Sequence, residues 1–478
     1  MIFSDHTLPL QKIGSLRRLP SRDIRQSAIS VGMECLDRDV FNFDRCYEQL
    51  GAIGVKWARV QTGWCKCETR KGEYDFAWLD HIVDRLLAVG VQPWFNLGFG
   101  NKLYMPDVYT DAAVGFVPLY YPEGLVAWKK FVSAVAKHFH GRVRRWEIWN
   151  EPEGKNFWQP SNPDPREYAR LIRETAPLIR AEISDAEIGS CLAGMVNLHY
   201  FPGFVATGIA SELDFHCFHN YNILPELNLH CAVQAQRRSF AAHGGSHLKL
   251  AMGEGGYASY FPAGHWMGTH VMASEKNQAK WLLRRIVADL GEDLMMTSFF
   301  QMADMMEKPY SMGDVTRKDP ARHGLLNGLS YTPKMSYYAM ASAAALFDDE
   351  TLHTDLYAQP DTTASIPRGT PVSRLFDLAL SVVTFTRKGF PIYAYHIPED
   401  VQCDFPGYRN FQLHFLPGEA GRPICNPVLI DMLAGTVYAV TNTASVASGI
   451  HCCQGLPIVD YPLLLTDRDA ISDRIDDK

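Results

Sequence analysis

Eight short runs of apolar, β-branched and aromatic residues recur along the first two thirds of the chain, and segments of helical pattern separate them. The runs are residues 28–34, 55–61, 92–98, 144–151, 187–193, 213–221, 248–254 and 294–302. Eight strands that alternate with helices in chain order predict an α/β fold, a (β/α)8 TIM barrel. A doubly wound sheet gives the same alternation, but usually with fewer units and a glycine-rich first turn, which is absent here.

The helical segments carry their own signals. Apolar residues recur at helical spacing in residues 76–88 and 124–139, and similar amphipathic stretches cover residues 44–50, 165–181 and 276–290. Asp164 followed by Pro165 is typical of a helix N-cap and a first helical position. The basic pair Arg284–Arg285 indicates a solvated helix face.

The alternation stops near Phe347, and a different architecture follows. Residues 348–371 are polar and rich in Thr, Asp, Ser and Pro, as expected at a domain boundary. Beyond them, short strands separated by turns predict a β-sandwich. We therefore expect a barrel over residues 28–346 and a β-sandwich domain over residues 347–478. The segment 1–27 is too short for a domain and is predicted to lend a strand to the sandwich.

Charge and cysteine usage exclude several classes of function. The chain has 46 basic and 53 acidic residues, a net charge of −7, which argues against nucleic-acid binding. No run approaches 18 apolar residues, so no membrane span is expected.

Eleven scattered cysteines predict buried reduced thiols rather than a disulfide framework or a zinc site. Residues 1–20 lack a secretory pattern, which indicates a cytoplasmic protein, with a trimmed signal left open. The oligomeric state is also left open.

Two glutamates stand at the ends of predicted strands. Glu151 closes the fourth run and precedes Pro152, and Glu254 closes the seventh and precedes two glycines. Side chains at the carboxyl ends of barrel strands meet at one mouth, where barrel active sites lie. A pair of carboxylates facing across a cleft is what glycosidic cleavage requires, with one acid protonated and the other ionised. Glu147, deeper in the fourth strand, is expected to pair with a buried arginine.

Four further strand-end residues are candidates for supporting roles. Arg59 would keep the ionised carboxylate charged, Asn150 would hydrogen-bond a sugar hydroxyl, and Tyr221 would donate to the nucleophile. His219 is expected to line the cleft. It also forms an HxxH pattern with His216, but residues three apart on a strand face opposite sides, so we predict neither a metal site nor a cofactor.

Several longer stretches resemble a known family. The segments VKWARVQTGW (55–64), GEYDFAWLD (72–80), WEIWNEP (146–152), DFHCFHNY (214–221) and FFQMADMME (299–307) are similar to glycoside hydrolase family 39, the β-xylosidase and α-L-iduronidase family of clan GH-A. The resemblance covers roughly residues 28–346. It implies a retaining double displacement, with Glu151 as general acid/base and Glu254 as nucleophile.

The same resemblance frames the substrate-binding predictions. The eighth strand of such enzymes usually offers a tryptophan as sugar platform, where this chain has Phe300. Among the tryptophans, Trp158 is the preferred platform because it lies in the loop after Glu151; Trp64, Trp94 and Trp149 are weaker candidates. Long loops at residues 101–121 and 153–164 would form a pocket, which favours exo-action on short oligosaccharides or glycosides. An endo-acting exopolysaccharide hydrolase, a silent carbohydrate-binding barrel and a metal-dependent hydrolase are the alternatives.

Overall fold

Eight parallel strands close into a barrel. The computed structural model describes residues 2–4, 8–108, 110–194, 197–265, 271–312, 315–361, 380–446 and 449–477. The barrel strands are β1 (Ile29–Gly32), β2 (Trp57–Gln61), β3 (Gln92–Leu97), β4 (Arg145–Ile148), β5 (Glu187–Leu192), β6 (Phe215–His219), β7 (Lys249–Gly255) and β8 (Thr297–Phe299). Each pairs in parallel with its neighbours in chain order, and β8 returns to β1. The predicted barrel is confirmed.

Helices follow the strands and cover the outside of the barrel. They are α1 (Tyr47–Gly51), α2 (Ala77–Ala88), α3 (Pro122–Phe139), α4 (Pro165–Glu182), α5 (Phe201–Val205), α6 (Leu229–Ala242), α7 (Glu275–Gly291) and α8 (Met335–Leu346), with a one-turn helix at Trp64–Cys67. Short 3-10 helices lie at Ser21–Asp23, Glu34–Arg38, Phe43–Arg45, Pro118–Tyr120, Lys155–Phe157, Ile209–Glu212 and Arg468–Ile471. Asp164 caps α4 as predicted, its carboxylate accepting from the Arg166 backbone N–H at 2.9 Å.

Two antiparallel sheets follow the barrel and form the sandwich-like domain. One sheet orders Ile2–Ser4, Pro406–Phe415, His451–Ile458 and Thr443–Ser445, with Ala358–Asp361 also paired to Pro406–Phe415. The other orders Thr351–His353, Ser381–Arg387, Phe390–His396, Leu463–Asp467, Pro427–Asp431, Thr436–Ala439, Lys12–Leu16 and Ile475–Asp477. The N-terminal segment thus contributes a strand to each sheet. A hairpin of Tyr310–Met312 and Val315–Arg317 stands apart.

Helix α7 contradicts the expectation of a solvated basic face. Arg284 and Arg285 are buried, because this helix lies under the C-terminal domain as well as on the barrel. Arg284 pairs with Glu226, and Arg285 pairs with Asp289 one turn along the same helix. Lys280 of α7 donates to the Asp460 carboxylate of the C-terminal domain at 2.8 Å. The two arginines are therefore paired with carboxylates of the folded protein instead of being solvated.

The cysteines agree with the expectation of reduced thiols, most of them buried. All eleven cysteines are free thiols, seven of them buried. Among the described residues, no helix has both the length and the apolar character needed to cross a bilayer.

Candidate active site

The barrel mouth brings Glu151 and Glu254 together from β4 and β7. One carboxylate oxygen of Glu151 and one of Glu254 lie within 4.8 Å of each other. Their side chains are 17% and 14% exposed, so both carboxylates are accessible but largely surrounded by protein. Retaining glycosidases hold their two carboxyl groups about 5–5.5 Å apart and inverting ones roughly 6.5–9.5 Å apart, so this upper limit on one oxygen–oxygen distance favours the retaining arrangement.

Glu151 reaches the mouth through an unusual backbone. Strand β4 ends at Ile148, three residues before the glutamate, and both Trp149 (φ 66°) and Glu151 (φ 47°) adopt left-handed conformations. Bulky residues rarely adopt positive φ, and such strain concentrates at functional sites where the surroundings enforce it. Here the Trp149 indole N–H donates to the Phe157 carbonyl at 2.7 Å, which helps to hold the segment in place.

Glu254 sits beside an irregularity in β7. The pairing of β6 with β7 shifts between Phe218 and His219, so that His219 lies opposite Glu254. A Cβ at Gly253 would lie 2.0 Å from the Cys217 sulfur. Glycine is therefore required at this position, because a neighbouring side chain already fills the space that a substituent would need.

Arg59 donates to three carboxylates and an amide of the site through its two terminal nitrogens. Its Nη1 donates to Glu254 Oε2 at 3.1 Å and to Glu34 Oε1 at 3.2 Å. Its Nη2 donates to Asn150 Oδ1 at 2.7 Å and to the Glu147 carboxylate. The expected pairing of Glu147 with a buried arginine is thereby observed. Because the guanidinium is planar, these contacts fix its orientation below the mouth.

His219 and Tyr221 complete the surroundings of the carboxylates. The His219 Nδ1 lies 2.6 Å from Glu151 Oε1 and 3.7 Å from Glu254 Oε2, and its Nε2 lies 3.2 Å from the Cys191 sulfur. The Tyr221 hydroxyl donates to Glu254 Oε1. His216, by contrast, packs among aromatic rings of the outer helices, so the two histidines of the HxxH pattern do face opposite sides.

These contacts shift the pKa values of Glu254 and His219 in opposite directions. Burial alone would raise the pKa of Glu254, but His219, Arg59 and the Tyr221 hydroxyl together lower it below its ordinary value. Against the effect of burial, the Cys191 sulfur and the carboxylates of Glu254 and Glu151 raise the pKa of His219 well above its usual value. Glu254 is thus an ionised acceptor surrounded by donors.

The aromatic candidates for sugar binding differ in how far they are exposed at the mouth. Phe300 is 7% exposed beside Tyr221, with ring centroids 6.4 Å apart, and it lies near the mouth. Trp158 is fully buried, and its indole N–H donates to the Tyr120 hydroxyl at 2.8 Å. Trp64, Trp94 and Trp149 are also fully buried. No face of these four indoles reaches solvent in the structure. A platform role would require the face of Trp158 to become accessible to a sugar, and that role stays a prediction.

The loops after β3 and β4 are joined at the mouth. The Val117 N–H donates to the Gln159 carbonyl at 2.9 Å, and the Gln159 N–H donates to the Gly115 carbonyl at 2.8 Å. A Cβ at Gly115 (φ 84°) would lie 2.2 Å from the Asn156 carbonyl oxygen. The two long loops are therefore hydrogen-bonded to each other, and the second one follows Glu151 in the chain.

Sequence reasoning missed two acids near the site. Glu34 lies two residues beyond β1 and contacts Arg59, and its position at the end of the first run was the available signal. Glu153, next to the acid/base candidate, accepts from the backbone N–H groups of Ala193 (2.6 Å) and Gly194 (3.2 Å). Burial raises the pKa of Glu153 to about 7, and Glu151 acts in the same direction.

Among the residues that the structure describes, two groups of side chains have the proximity of metal ligands. They are Glu151, His219 and Glu254 at the mouth, and Cys191, Cys217 and His219 below it. Each group includes His219, whose Nδ1 already contacts Glu151 and whose Nε2 contacts Cys191. Either set is also explained by hydrogen bonding alone.

Part of the chain is similar to a known protein family. Residues 50–244 match the family model of glycosyl hydrolases family 39. A β-xylosidase of Geobacillus stearothermophilus is 32% identical over 130 residues, which cover 24% of this chain and 24% of that protein. A β-xylosidase of Caldicellulosiruptor saccharolyticus is 28% identical over 163 residues, 30% of this chain and 31% of that protein. The chain thus matches about a quarter to a third of the length of these relatives.

A solved structure extends the likeness to nearly the whole chain. A family 39 glycoside hydrolase from the gut symbiont Bacteroides cellulosilyticus WH2 superposes with a TM-score of 0.60 and 17% identity, over 92% of this chain and 80% of that one. This likeness shows the fold, a parallel barrel followed by antiparallel sheets. The match of residues 50–244 to the family 39 model, together with the two β-xylosidase relatives, confirms the resemblance to that family seen in the sequence.

Proposed function

We propose that the protein is a retaining, exo-acting glycosidase of the β-xylosidase type, with Glu254 as nucleophile and Glu151 as general acid/base. The observation that carries the proposal is the approach of the two carboxylates to within 4.8 Å, with donors clustered on Glu254. That asymmetry favours Glu254 as the ionised partner and leaves Glu151 to move protons.

In the first step, Glu254 attacks the anomeric carbon while protonated Glu151 gives its proton to the glycosidic oxygen. The carbon–oxygen bond breaks, and the aglycone leaves as an alcohol. In the second step, Glu151 takes a proton from water, whose oxygen bonds to the anomeric carbon as Glu254 departs. Two inversions give net retention. Asn150, oriented by Arg59 through its Oδ1, is placed to offer its amide N–H₂ to a sugar hydroxyl.

The exo-acting mode and the sugar rest on two further observations. The joined loops after β3 and β4 close one side of the mouth, which favours a pocket over an open groove. The curated relatives are β-xylosidases, so a pentoside is the first substrate to test. Phe300 gives the innermost subsite an apolar face without an indole donor.

A panel of aryl glycosides that differ only in the sugar tests the proposal. We expect the highest kcat/KM with the β-xyloside and, by nuclear magnetic resonance, a first-formed sugar of unchanged anomeric configuration. With a soluble polysaccharide, we expect slow release of single sugars without a fall in viscosity. A rapid fall in viscosity would instead indicate endo-action, and an inverted product would exclude the double displacement. Loss of activity in chelator would favour the metal-dependent alternative.

Replacing Tyr221 by phenylalanine tests the assignment of Glu254 through pH dependence. The Tyr221 hydroxyl is one of the donors that lower the pKa of Glu254, so its removal raises that pKa. Activity needs ionised Glu254 and is lost as the pH falls through its pKa. The acidic limb of kcat/KM is therefore expected to move to higher pH, with about a tenfold loss at the optimum. An acidic limb that stays in place would contradict the role of Tyr221. Tyr260→Phe, at an exposed position, is the matched control.

A further inference from the structure

Glu34 is a buried acid that the proposed reaction does not use. It opens the 3-10 helix Glu34–Arg38, two residues after β1, and its side chain is 2% exposed. Its Oε1 accepts from Arg59 Nη1 at 3.2 Å, whereas its Oε2 is buried and makes no hydrogen bond with the residues that the structure describes. Burying a carboxyl with one oxygen unsatisfied costs stability, so its presence at this place calls for a function.

The chain makes room for this carboxyl. A Cβ at Gly32, the last residue of β1, would lie 2.2 Å from Glu34 Oε2. The Glu34 carboxyl therefore fills the space beside β1 that any other residue at position 32 would occupy, and it does so next to the arginine that contacts Glu254. This arrangement fixes the side chain by packing rather than by a second hydrogen bond.

The two terminal nitrogens of the Arg59 guanidinium each donate to one buried acid and to one group at the mouth. Each terminal nitrogen serves one deeply buried carboxyl, Glu34 or Glu147, and one group at the mouth, Glu254 or Asn150. Glu34 and Glu254 share Nη1, so a stronger bond from Nη1 to one acceptor weakens the bond to the other.

We propose that Glu34 is a positioning residue that competes with Glu254 for Nη1 of Arg59 and thereby sets how strongly Arg59 stabilises the nucleophile. This inference rests on the proposed function. In its neutral form Glu34 is a weak acceptor, and Arg59 acts mainly on Glu254. In its ionised form Glu34 accepts a stronger hydrogen bond from Arg59, so the bond from Arg59 to Glu254 weakens and Glu254 becomes a more basic carboxylate.

The charges around Glu34 place this change near neutral pH. Burial raises the pKa of Glu34 to about 7; Arg59 from β2 opposes the rise, and Glu254 from β7 adds to it. On its own helix, Arg38 and Asp37 pair with each other at 3.0 Å. A more basic Glu254 is a poorer leaving group, so hydrolysis of the glycosyl-enzyme is expected to slow as the pH rises through 7.

An activated aryl glycoside, for which this second step limits kcat, makes the effect visible. In the wild-type protein, kcat and KM are both expected to fall about three- to tenfold between pH 6 and pH 8, because the glycosyl-enzyme accumulates. Glu34→Gln keeps the shape and the acceptor but cannot ionise. At pH 6 its kcat should lie within about threefold of the wild-type value. Between pH 6 and pH 8 its kcat and KM should not fall together. Glu123→Gln, exposed on α3, should behave as the wild type.

If kcat and KM of Glu34→Gln depend on pH in the same way as those of the wild type, the inference is wrong. It is also wrong if kcat and KM of the wild type do not fall together between pH 6 and pH 8, a result that requires no variant. Melting temperatures establish that the variant is folded. The proposed function has its own test in Glu254→Ala: if that variant loses activity while Glu34→Gln is indistinguishable from the wild type, only the role of Glu34 is wrong.

Discussion

Replacing Glu254 by alanine is expected to lower the hydrolysis of an activated aryl glycoside by about 10⁴-fold or more, a loss typical of removing a catalytic nucleophile. The reason is geometric as well as chemical. Arg59, His219 and Tyr221 all converge on this one carboxylate, so no other group in the cluster is placed to attack in its stead. Steady-state rates measured with protein of verified melting temperature test the expectation.

Small anions provide the control for this variant. Azide or formate entering the space left by the side chain should restore part of the turnover, and azide should give a glycosyl azide of inverted configuration. Glu123→Ala, exposed on α3 and paired with Lys71 at the surface, should keep full activity. Full activity of Glu254→Ala would remove the basis of the proposed mechanism.

Replacing Glu151 by alanine is expected to slow hydrolysis by about 10²- to 10⁴-fold, the contribution typical of a general acid/base. The loss should depend on the leaving group. Substrates with poor leaving groups need the proton that Glu151 supplies in the first step, whereas nitrophenolates depart without it. A series of aryl glycosides of graded leaving-group acidity measures this dependence.

Azide distinguishes this variant from the previous one. It should accelerate turnover of Glu151→Ala by attacking the glycosyl-enzyme without base assistance, and the glycosyl azide should keep the configuration of the substrate. Glu73→Ala, at an exposed position, is the matched control. Equal losses for good and poor leaving groups, or an azide product of inverted configuration, would assign Glu151 a different role.

Periodicity was enough to predict the barrel. The apolar residues that recur at helical spacing in α2, Leu79, Ile82, Val83 and Leu86, are the buried ones, and Asp164 caps α4. Such local signals act within one element, where spacing and capping chemistry depend little on distant contacts. Strand order then brought Glu151 and Glu254 to one mouth, since parallel strands of a closed barrel all end on the same side.

Burial by distant parts of the chain was not predictable in this way. Arg284 and Arg285 resemble a solvated pair until the C-terminal domain covers α7. Trp158 lies in the expected loop, yet its side chain turns into the core. Glu34 was overlooked because nothing near it in the chain shows that it meets Arg59, 25 residues further on.

By itself, the sequence determined the architecture, the position of the two acids at strand ends and the resemblance to glycoside hydrolase family 39. Only the tertiary structure decided how the charges are shared: that one guanidinium serves Glu34, Glu147 and Glu254, and that His219 stands between the two acids at the mouth. The physical reason is that strand and helix patterns depend on neighbours along the chain. Protonation depends on distances of a few ångströms between side chains that only the closed barrel brings together.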